Sequence, residues 1–186
     1  LTPRCSSYRY RGMKMDQCRA AVLVEDLYQD QEVWYPLFRL REAGAKVSVL
    51  GTGSKTTYAS KHGYPIQVDQ KVDDTRPQDF QCVIVPGGYA PDILRRYEAM
   101  VRFVRDADGN QAVIGAICHG LWLLCSANVL KGRRATCFFA IKDDVVNAGA
   151  SYSDEEVVVD RNLVTSRKPD DLPAFMREIL KLLQSK

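Results

Sequence analysis

Residues 112–120 read AVIGAICHG and carry the clearest indication of the fold in the chain. Its first six residues form a continuous apolar run, which is typical of a β-strand buried on both faces of a parallel sheet. Cys118-His119-Gly120 ends the run, and the following LWLLCSA predicts a helix that extends to about Ala127. A cysteine between a buried strand and a helix resembles the sharp turn that presents a nucleophile above an α/β sheet. Cys118 is therefore the first candidate for a reactive residue.

Similar apolar runs alternate with helical patterns along the rest of the chain. Strands are predicted at residues 20–24, 47–50, 82–85, 112–117, 135–139 and 156–166, and helices at about 33–43, 91–107, 118–127 and from 169 onward. A polar stretch after the second strand predicts a hairpin that turns at His62-Gly63. Strands that alternate with helices favour an α/β fold, with a mostly parallel sheet covered by helices on both faces.

The composition is that of an ordinary globular domain. The chain has 186 residues, of which 46% are apolar and 26% charged, and this length fits a single domain. A net charge of +3 is too small to indicate a nucleic-acid partner. No apolar stretch approaches the roughly 20 residues that a membrane span requires. We therefore expect a soluble protein without nucleic-acid or membrane partners.

The six cysteines follow no metal or disulfide pattern. There is no C-x-x-C, and only His62 and His119 could supply imidazole ligands, so we predict no metal site. GTGSKT at residues 51–56 lacks the third glycine of a dinucleotide fingerprint and the adjacent Gly-Lys of a phosphate loop. We expect no cofactor, and we expect a reducing, cytoplasmic compartment.

Residues 1–18 differ from the rest of the chain. They carry four basic residues against one acidic residue, show no apolar period and lack the hydrophobic core of a secretory signal peptide. We expect an irregular N-terminal extension, followed by one domain over residues 19–186. An engineered remnant, part of a longer precursor and the trimmed end of an organelle-targeting sequence all fit this composition.

Three polar segments follow predicted strands, and the carboxyl ends of parallel strands are where such sheets bind ligands. They are the turn that leads to Glu32, Gly87-Gly88, and Cys118-His119. A helix N-terminus favours the thiolate, so we expect a depressed pKa for Cys118. The backbone N–H groups of His119 and Gly88 could stabilise an oxyanion, and the His119 imidazole could partner the thiolate.

Several charged residues have a simpler interpretation. Glu32 and Asp92 both lie at predicted helix starts, where a carboxylate can merely favour the helix dipole. Lys131, Arg133 and Arg134 form a basic cluster that we interpret as a solvated turn.

Six strings in order resemble one family: VPGGYAPDILR, AICHG, VLKGRRAT, IKDDVVNAGA, EVVVDRNLVTSR and LPAFMREILKLL. This is the ThiJ/PfpI family of the class I glutamine amidotransferase-like superfamily, and the PfpI-type intracellular protease branch is the most similar. The likeness runs from about Arg19 to Leu183. It implies a flavodoxin-like three-layer α/β sandwich that forms dimers or hexamers.

The resemblance also implies roles for individual residues. The family's nucleophile falls on Cys118, the histidine after it on His119, and the acid that hydrogen-bonds the thiol on Glu32. A third acid, contributed by a neighbouring subunit, falls on Asp92, which is one methylene shorter than the usual glutamate. Gln29 stands where many relatives carry glutamate, which removes one negative charge from the site.

The activities known in this family are of several kinds, and in this chain each of them would use the same Cys118 thiolate. Our first expectation is a cofactor-independent enzyme of the glyoxalase III or deglycase type that acts on reactive carbonyls through Cys118 and Glu32. The alternative is a PfpI-like peptidase or amidase that uses Cys118, His119 and Asp92 across a subunit interface. A third possibility is a redox-sensing or chaperone-like stress protein without turnover.

Overall fold

The computed structural model describes residues 14–185, which form a sheet between two layers of helices. The strands are β1 (Arg19–Val24), β2 (Lys46–Gly51), β3 (Thr57–Ala59), β4 (Pro65–Gln67), β5 (Gln70–Lys71), β6 (Cys82–Val85), β7 (Val113–Ile117), β8 (Arg134–Ala135), β9 (Ser151–Tyr152), β10 (Val158–Asp160) and β11 (Leu163–Ser166). The helices are α1 (Asp30–Glu42), α2 (Ala90–Leu94), α3 (Glu98–Gly109), α4 (Leu121–Ala127), α5 (Lys142–Asn147) and α6 (Leu172–Ser185). None of these helices is both long and apolar enough to cross a membrane.

The central sheet has seven strands in the order β10-β11-β7-β6-β1-β2-β5. All neighbours are parallel except β10, which runs antiparallel to β11 at one edge. The strands β3 and β4 form the expected hairpin, and β8 and β9 form a separate short parallel pair. The predicted α/β architecture with a mostly parallel sheet is confirmed.

Alternation along the strands divides the core into two halves. In β1, Ala21 and Leu23 point to one face, where they join α3 and α4. Val22 and Val24 point to the other face, where they join α1 and α6. Because side chains alternate along a strand, a strand covered on both faces must be apolar throughout. This explains why continuous apolar runs, rather than alternating ones, marked the strands in the sequence.

Part of the predicted N-terminal extension, residues 1–13, lies outside the described residues. Within the remainder, Met15–Gln17 form a single 3-10 turn, and Cys18 is fully buried in the core beside α1. The helical turn is capped by the backbone, because the N–H of Cys18 donates to the carbonyl of Met15.

Two stretches differ from the sequence predictions. Residues 135–139 were predicted as a strand, but β8 ends at Ala135 and a 3-10 turn begins at Phe139. The N–H of Thr136 donates to the Thr165 hydroxyl instead of to a strand partner, and the chain turns toward the end of β7. Helix α5 was not predicted.

The interpretation of Arg133 as a solvated residue is wrong. Its side chain is only 5% exposed and forms an ion pair with Asp108 at 2.8 Å. A second hydrogen bond reaches Asn162 Oδ1 at 2.8 Å. Arg133 therefore ties the turn before β8 to the end of α3 and the β10–β11 turn.

Candidate active site

The three polar segments meet where the sequence predicted, at the carboxyl ends of β1, β6 and β7. These strands are neighbours in the sheet. The turn after β1 leads into α1, and Tyr28 in that turn forms an isolated bridge with Gly88, which follows β6. Cys118 follows β7 directly. Residues separated by more than 80 positions in the sequence therefore line one cleft of about 460 Å³.

Cys118 lies on a strained turn. Its φ is +61°, a left-handed conformation that costs an L-residue energy and is common at functional sites. A short 3-10 segment, Cys118–Gly120, separates β7 from α4. The side chain lines the cleft, although the residue is only 8% exposed. The turn therefore has the backbone geometry expected of a residue presented to a ligand.

Two glycines allow this turn to pack. A Cβ on Gly87 would lie 2.6 Å from Glu32 Oε2, 2.8 Å from Cys118 Cβ and 2.9 Å from the His119 nitrogen. A Cβ on Gly120 would lie 2.3 Å from the carbonyl oxygen of Val85. Both positions exclude any side chain, because those distances are shorter than van der Waals contact.

Glu32 is fully buried in the first turn of α1. Its Oε2 accepts a hydrogen bond from the N–H of Gly87 at 2.7 Å. Its Oε1 is buried and has no hydrogen-bond partner with standard geometry among the described residues. The Cys118 thiol is close enough to interact with this carboxyl group. Gln29 caps the same helix, because its side-chain oxygen accepts from the N–H groups of Gln31 and Glu32.

Burial controls the ionisation of this pair. Desolvation raises the pKa of Glu32 to about 8, against hydrogen bonds from Gly87 and Cys118 that lower it. Desolvation also raises the pKa of Cys118 to about 12, and the carboxylate of Glu32 adds to the effect. Our expectation of a depressed pKa for Cys118 is thus wrong: the N–H groups of His119 and Gly88 do favour the thiolate, but burial outweighs them.

The two groups titrate as a unit because each disfavours the charge of the other. At neutral pH the raised pKa of Glu32 leaves its carboxyl largely protonated. A neutral Glu32 does not repel a thiolate at Cys118, and the protonated carboxyl can act as a proton donor. The pair is therefore mostly uncharged at neutral pH, and loss of its first proton leaves a single negative charge shared between the carboxyl and the sulfur.

His119 lies against Cys118 and an aromatic wall. Its Nδ1 is 3.2 Å from Cys118 Sγ. The ring centroid is 4.9 Å from that of Phe138 and 5.0 Å from that of Trp122. Burial lowers the pKa of His119, and the positive charge of Lys61 lowers it further. The imidazole is therefore neutral at neutral pH, so it can orient the thiol but forms no standing ion pair with it.

Asp92 lies apart from this constellation within one chain. Its carboxylate forms an ion pair with Arg96 on the next turn and is about half exposed. Asp92 does not line the cleft, and across residues 14–185 it makes no hydrogen bond with His119. The structure therefore brings Cys118, His119 and Glu32 together, and it leaves Asp92 facing outward.

Five further residues that line the cleft were not predicted as site residues: Lys61, Tyr89, Phe138, Lys168 and Pro169. Lys61 comes from the β3–β4 hairpin, Phe138 from the stretch predicted as a strand, and Lys168 from the turn after β11. The signal for Lys168 was present, because β11 is a fourth parallel strand that ends at the same edge of the sheet. Across the described residues, no group of three or more His, Cys, Asp or Glu side chains could hold a metal ion.

The structure places this chain among the α/β sandwiches that carry a cysteine on a strained turn at the end of a central parallel strand. Comparison with known proteins identifies the member family. The model of the DJ-1/PfpI family matches residues 18–182, and the chain belongs to this family. The predicted ThiJ/PfpI resemblance is thereby confirmed.

Relatives of known name support this membership. The chain is 43% identical to the deglycase PfpI of Pyrococcus furiosus, over 84% of this chain and 94% of the relative. It is also 43% identical to protein/nucleic acid deglycase 2 of Escherichia coli, over 89% and 97% of the two chains. Since several curated relatives are named deglycases, the chain is an enzyme.

A solved structure shows the same fold. A two-domain protein of Anabaena variabilis, with DJ-1/ThiJ/PfpI-like and ferritin-like domains, superposes with a TM-score of 0.87 at 41% identity. The match covers 89% of this chain and 48% of that protein.

Proposed function

We propose that this enzyme converts reactive 2-oxoaldehydes such as methylglyoxal, or their early adducts with amines and thiols, without a cofactor. The observation that carries the proposal is the buried, largely protonated carboxyl of Glu32 beside the Cys118 thiol. A general acid–base works best when its pKa lies near the working pH, and a Glu32 pKa of about 8 meets this condition. The deglycase names of the relatives point to the same carbonyl chemistry.

The first step of the reaction uses both groups. The Cys118 thiolate adds to the aldehyde carbon, and Glu32 gives its proton to the aldehyde oxygen. The product is a hemithioacetal, and Glu32 is left as a carboxylate. The backbone N–H groups of His119 and Gly88 face the sulfur and would stabilise the developing oxyanion.

The second step moves a proton between adjacent carbons. The Glu32 carboxylate removes the hydrogen from the former aldehyde carbon as a proton and delivers it to the neighbouring carbon. In the enediol between these two transfers, the former ketone oxygen has taken up a proton from solvent, and the hydroxyl of the former aldehyde carbon then returns one to solvent as the thioester carbonyl forms. This gives a 2-hydroxyacyl thioester on Cys118. Water then hydrolyses the thioester, which releases the hydroxyacid and restores the thiol. The sum is oxoaldehyde plus water to hydroxyacid, with no oxidant or reductant.

A second candidate is peptide or amide hydrolysis. The 3.2 Å approach of His119 Nδ1 to Cys118 Sγ favours it, because a cysteine peptidase needs this pair. It would also need an acid behind the imidazole, and Asp92 of a second subunit is the proposed source. This version therefore requires an oligomer, whether dimer or hexamer.

The experiment compares Glu32→Gln, Asp92→Asn and Cys118→Ser with wild type on methylglyoxal and on a peptide substrate. We expect Glu32→Gln to lose about 100- to 10,000-fold in methylglyoxal conversion, and Asp92→Asn to lose far less. For peptide hydrolysis the order reverses. A folded Glu32→Gln variant that keeps most of its methylglyoxal activity contradicts the proposal. A wild type that turns over neither substrate favours the redox-sensing alternative, with Glu32 stabilising an oxidised Cys118.

A further inference from the structure

Two lysines line the same cleft as Cys118, and they come from opposite sides of it. Lys61 belongs to the β3–β4 hairpin and Lys168 to the turn between β11 and α6. Among the residues that the structure describes, Glu32 is the only acidic one in the lining. Lysines are ordinarily solvated surface residues. A role for these two in binding a ligand requires that the turns that carry them be held in place.

Lys61 sits on an anchored turn. Its backbone N–H donates to the carbonyl of Tyr28 at 2.9 Å. The residues on either side both bind Asp30, since Ser60 Oγ donates to it at 2.6 Å and His62 Nδ1 lies 2.7 Å from it. The ammonium group itself forms no ion pair within the described part of the chain. Its charge nevertheless reaches the reactive groups, because it lowers the pKa of both Glu32 and His119.

Lys168 is held in a similar way. The preceding residue, Arg167, donates from its backbone and from Nε to the buried carboxylate of Asp171, at 3.1 and 2.9 Å. Pro169 follows and begins a 3-10 turn, which fixes the backbone after Lys168. The ammonium lies 3.1 Å from Asp170, but that carboxylate is 81% exposed. Exposed ion pairs of this kind are weak, so the lysine remains available to a ligand.

The side chains that line the cleft carry a net positive charge at neutral pH. Glu32 is largely protonated at neutral pH, and the lowered pKa of His119 keeps the imidazole neutral. Two ammonium groups therefore face a cleft whose other ionisable groups carry little charge. A site with this charge distribution attracts anions.

The cleft is also larger than a three-carbon aldehyde requires. Methylglyoxal has five heavy atoms and fills about 150 Å³ at most if each takes the volume of a liquid water, roughly 30 Å³. The cleft measures about 460 Å³. Phe138 and Tyr89 add aromatic surface to the lining of the cleft. There is room for a carbon chain with a charged end.

We infer that the site takes carbonyl substrates that carry their own anionic group, a carboxylate or a phosphate, and that Lys61 and Lys168 bind this group while Cys118 attacks the carbonyl. The inference rests on the proposed function for the role of Cys118, and it adds the substrate class. By this inference methylglyoxal is a minimal substrate, which leaves about two thirds of the cleft unused.

The test uses two alkylating reagents that differ in charge. The Cys118 thiolate displaces iodide from iodoacetate, which is anionic, or from iodoacetamide, which is neutral, and forms a thioether in both cases. The rate with iodoacetate is divided by the rate with iodoacetamide. The fraction of Cys118 present as thiolate cancels in this ratio, so the ratio reports how strongly the cleft attracts an anionic reagent. Rates are measured at pH 7 and low salt by mass spectrometry of the Cys118 peptide, and each ratio is divided by that of free glutathione.

We expect a normalised ratio of about five or more in wild type, falling toward one at high salt. Lys61→Met and Lys168→Met should each lower it about three- to tenfold. Lys181→Met, a change to an exposed lysine of α6, should leave it unchanged. Inorganic phosphate should slow labelling by both reagents if the anion site also accepts phosphate; if phosphate has no effect, the site is specific for carboxylates.

A normalised ratio of one or less in wild type overturns the inference, as does a ratio that neither Lys61→Met nor Lys168→Met changes. These outcomes do not depend on turnover. An enzyme that converts methylglyoxal but shows a ratio of one retains the proposed function and loses this inference. An enzyme without carbonyl activity but with the lysine-dependent ratio loses the proposed function and retains only the anion-binding role of the two lysines.

Discussion

Glu32 Oε2 lies 2.7 Å from the backbone nitrogen of Gly87 and accepts its hydrogen. This one bond joins the start of α1 to the turn after β6, and it fixes which carboxyl oxygen is free. Because Oε2 is occupied by an N–H donor, the proton of the neutral carboxyl belongs on Oε1, the oxygen without another partner among the described residues. The acid proton is therefore held on a known atom.

The raised pKa of Glu32 predicts a pH-dependent stability. The ordinary carboxyl pKa of 4.5 rises to about 8 in the folded chain. The folded state thus binds this proton more tightly than the unfolded state does. Its contribution to stability is fully present below about pH 4.5 and is lost as the pH rises toward 8. A glutamine at this position cannot ionise and avoids the loss.

We therefore expect the melting temperature of Glu32→Gln, relative to wild type, to increase by about 5 °C between pH 5 and pH 9. Thermal melts followed by circular dichroism measure this difference. Glu42→Gln is the matched control, since Glu42 lies at the exposed end of the same helix. Melting curves of wild type and Glu32→Gln that shift in parallel with pH would show that Glu32 ionises normally in the fold.

The proton shared by Glu32 and Cys118 predicts the pH dependence of thiol labelling. In wild type, the pair loses its first proton near pH 8, so the alkylation rate of Cys118 should rise with a midpoint there. In Glu32→Gln the thiol titrates alone, and burial keeps its pKa above the ordinary value of 9. The midpoint should therefore move upward by at least about one unit. Identical midpoints in the two proteins would contradict the shared proton.

The same labelling ranks the cysteines of the described chain. Cys118 lines an open cleft, whereas Cys18, Cys82 and Cys137 are fully buried. Cys118 should react ahead of these three, and partly exposed Cys125 is its only competitor among the described cysteines. Peptide mapping after brief alkylation gives the order. Labelling led by a fully buried cysteine would point to local unfolding rather than to a reactive site.

Gly87 should tolerate no side chain. An alanine methyl group there would lie within 3 Å of Glu32 Oε2, Cys118 Cβ and the His119 nitrogen. We expect Gly87→Ala to lose about 100-fold or more in activity and to destabilise the fold by about 1–3 kcal/mol. Gly109→Ala is the control, because nothing lies within 4 Å of a Cβ at that position. Wild-type rates in Gly87→Ala would show that the turn can shift without affecting the chemistry.

Assembly separates the two enzymatic proposals. Asp92 pairs with Arg96 within one chain, so it can serve His119 only across a subunit contact. Light scattering at micromolar concentration should give a dimer or hexamer if the shared triad exists. A mass near 21.0 kDa would remove the peptidase version and leave the carbonyl chemistry intact.

Much of the fold could be predicted from the sequence because its central strands are buried on both faces. β1, β6 and β7 are continuous apolar runs, and each is followed by a polar turn, so the meeting of Glu32, Gly88 and Cys118 could be predicted. Residues 135–139 have the same apolar character, but the strand ends at Ala135 and Phe138 packs against the His119 ring. Local sequence does not distinguish a strand from an apolar loop that covers a site.

The charges of the site were harder to predict. The helix start beside Cys118 suggested a stabilised thiolate, yet α4 has only seven residues and the burial of the sulfur has the larger effect. Lys61 reaches the cleft from a hairpin that follows a different strand, which sequence spacing does not reveal. Arg133 looked solvated because its ion-pair partner, Asp108, lies 25 residues away.

The contact of Gly120 with the carbonyl oxygen of Val85 changes how the Cys-His-Gly string should be understood. A Cβ at position 120 would lie 2.3 Å from that oxygen, so the glycine is a steric requirement of bringing α4 against the end of β6. A library of all substitutions, selected for activity, should therefore deplete variants at position 120 as strongly as those at Cys118. The third letter of the motif records how closely two backbones approach, whereas the first two letters are side chains that line the cleft.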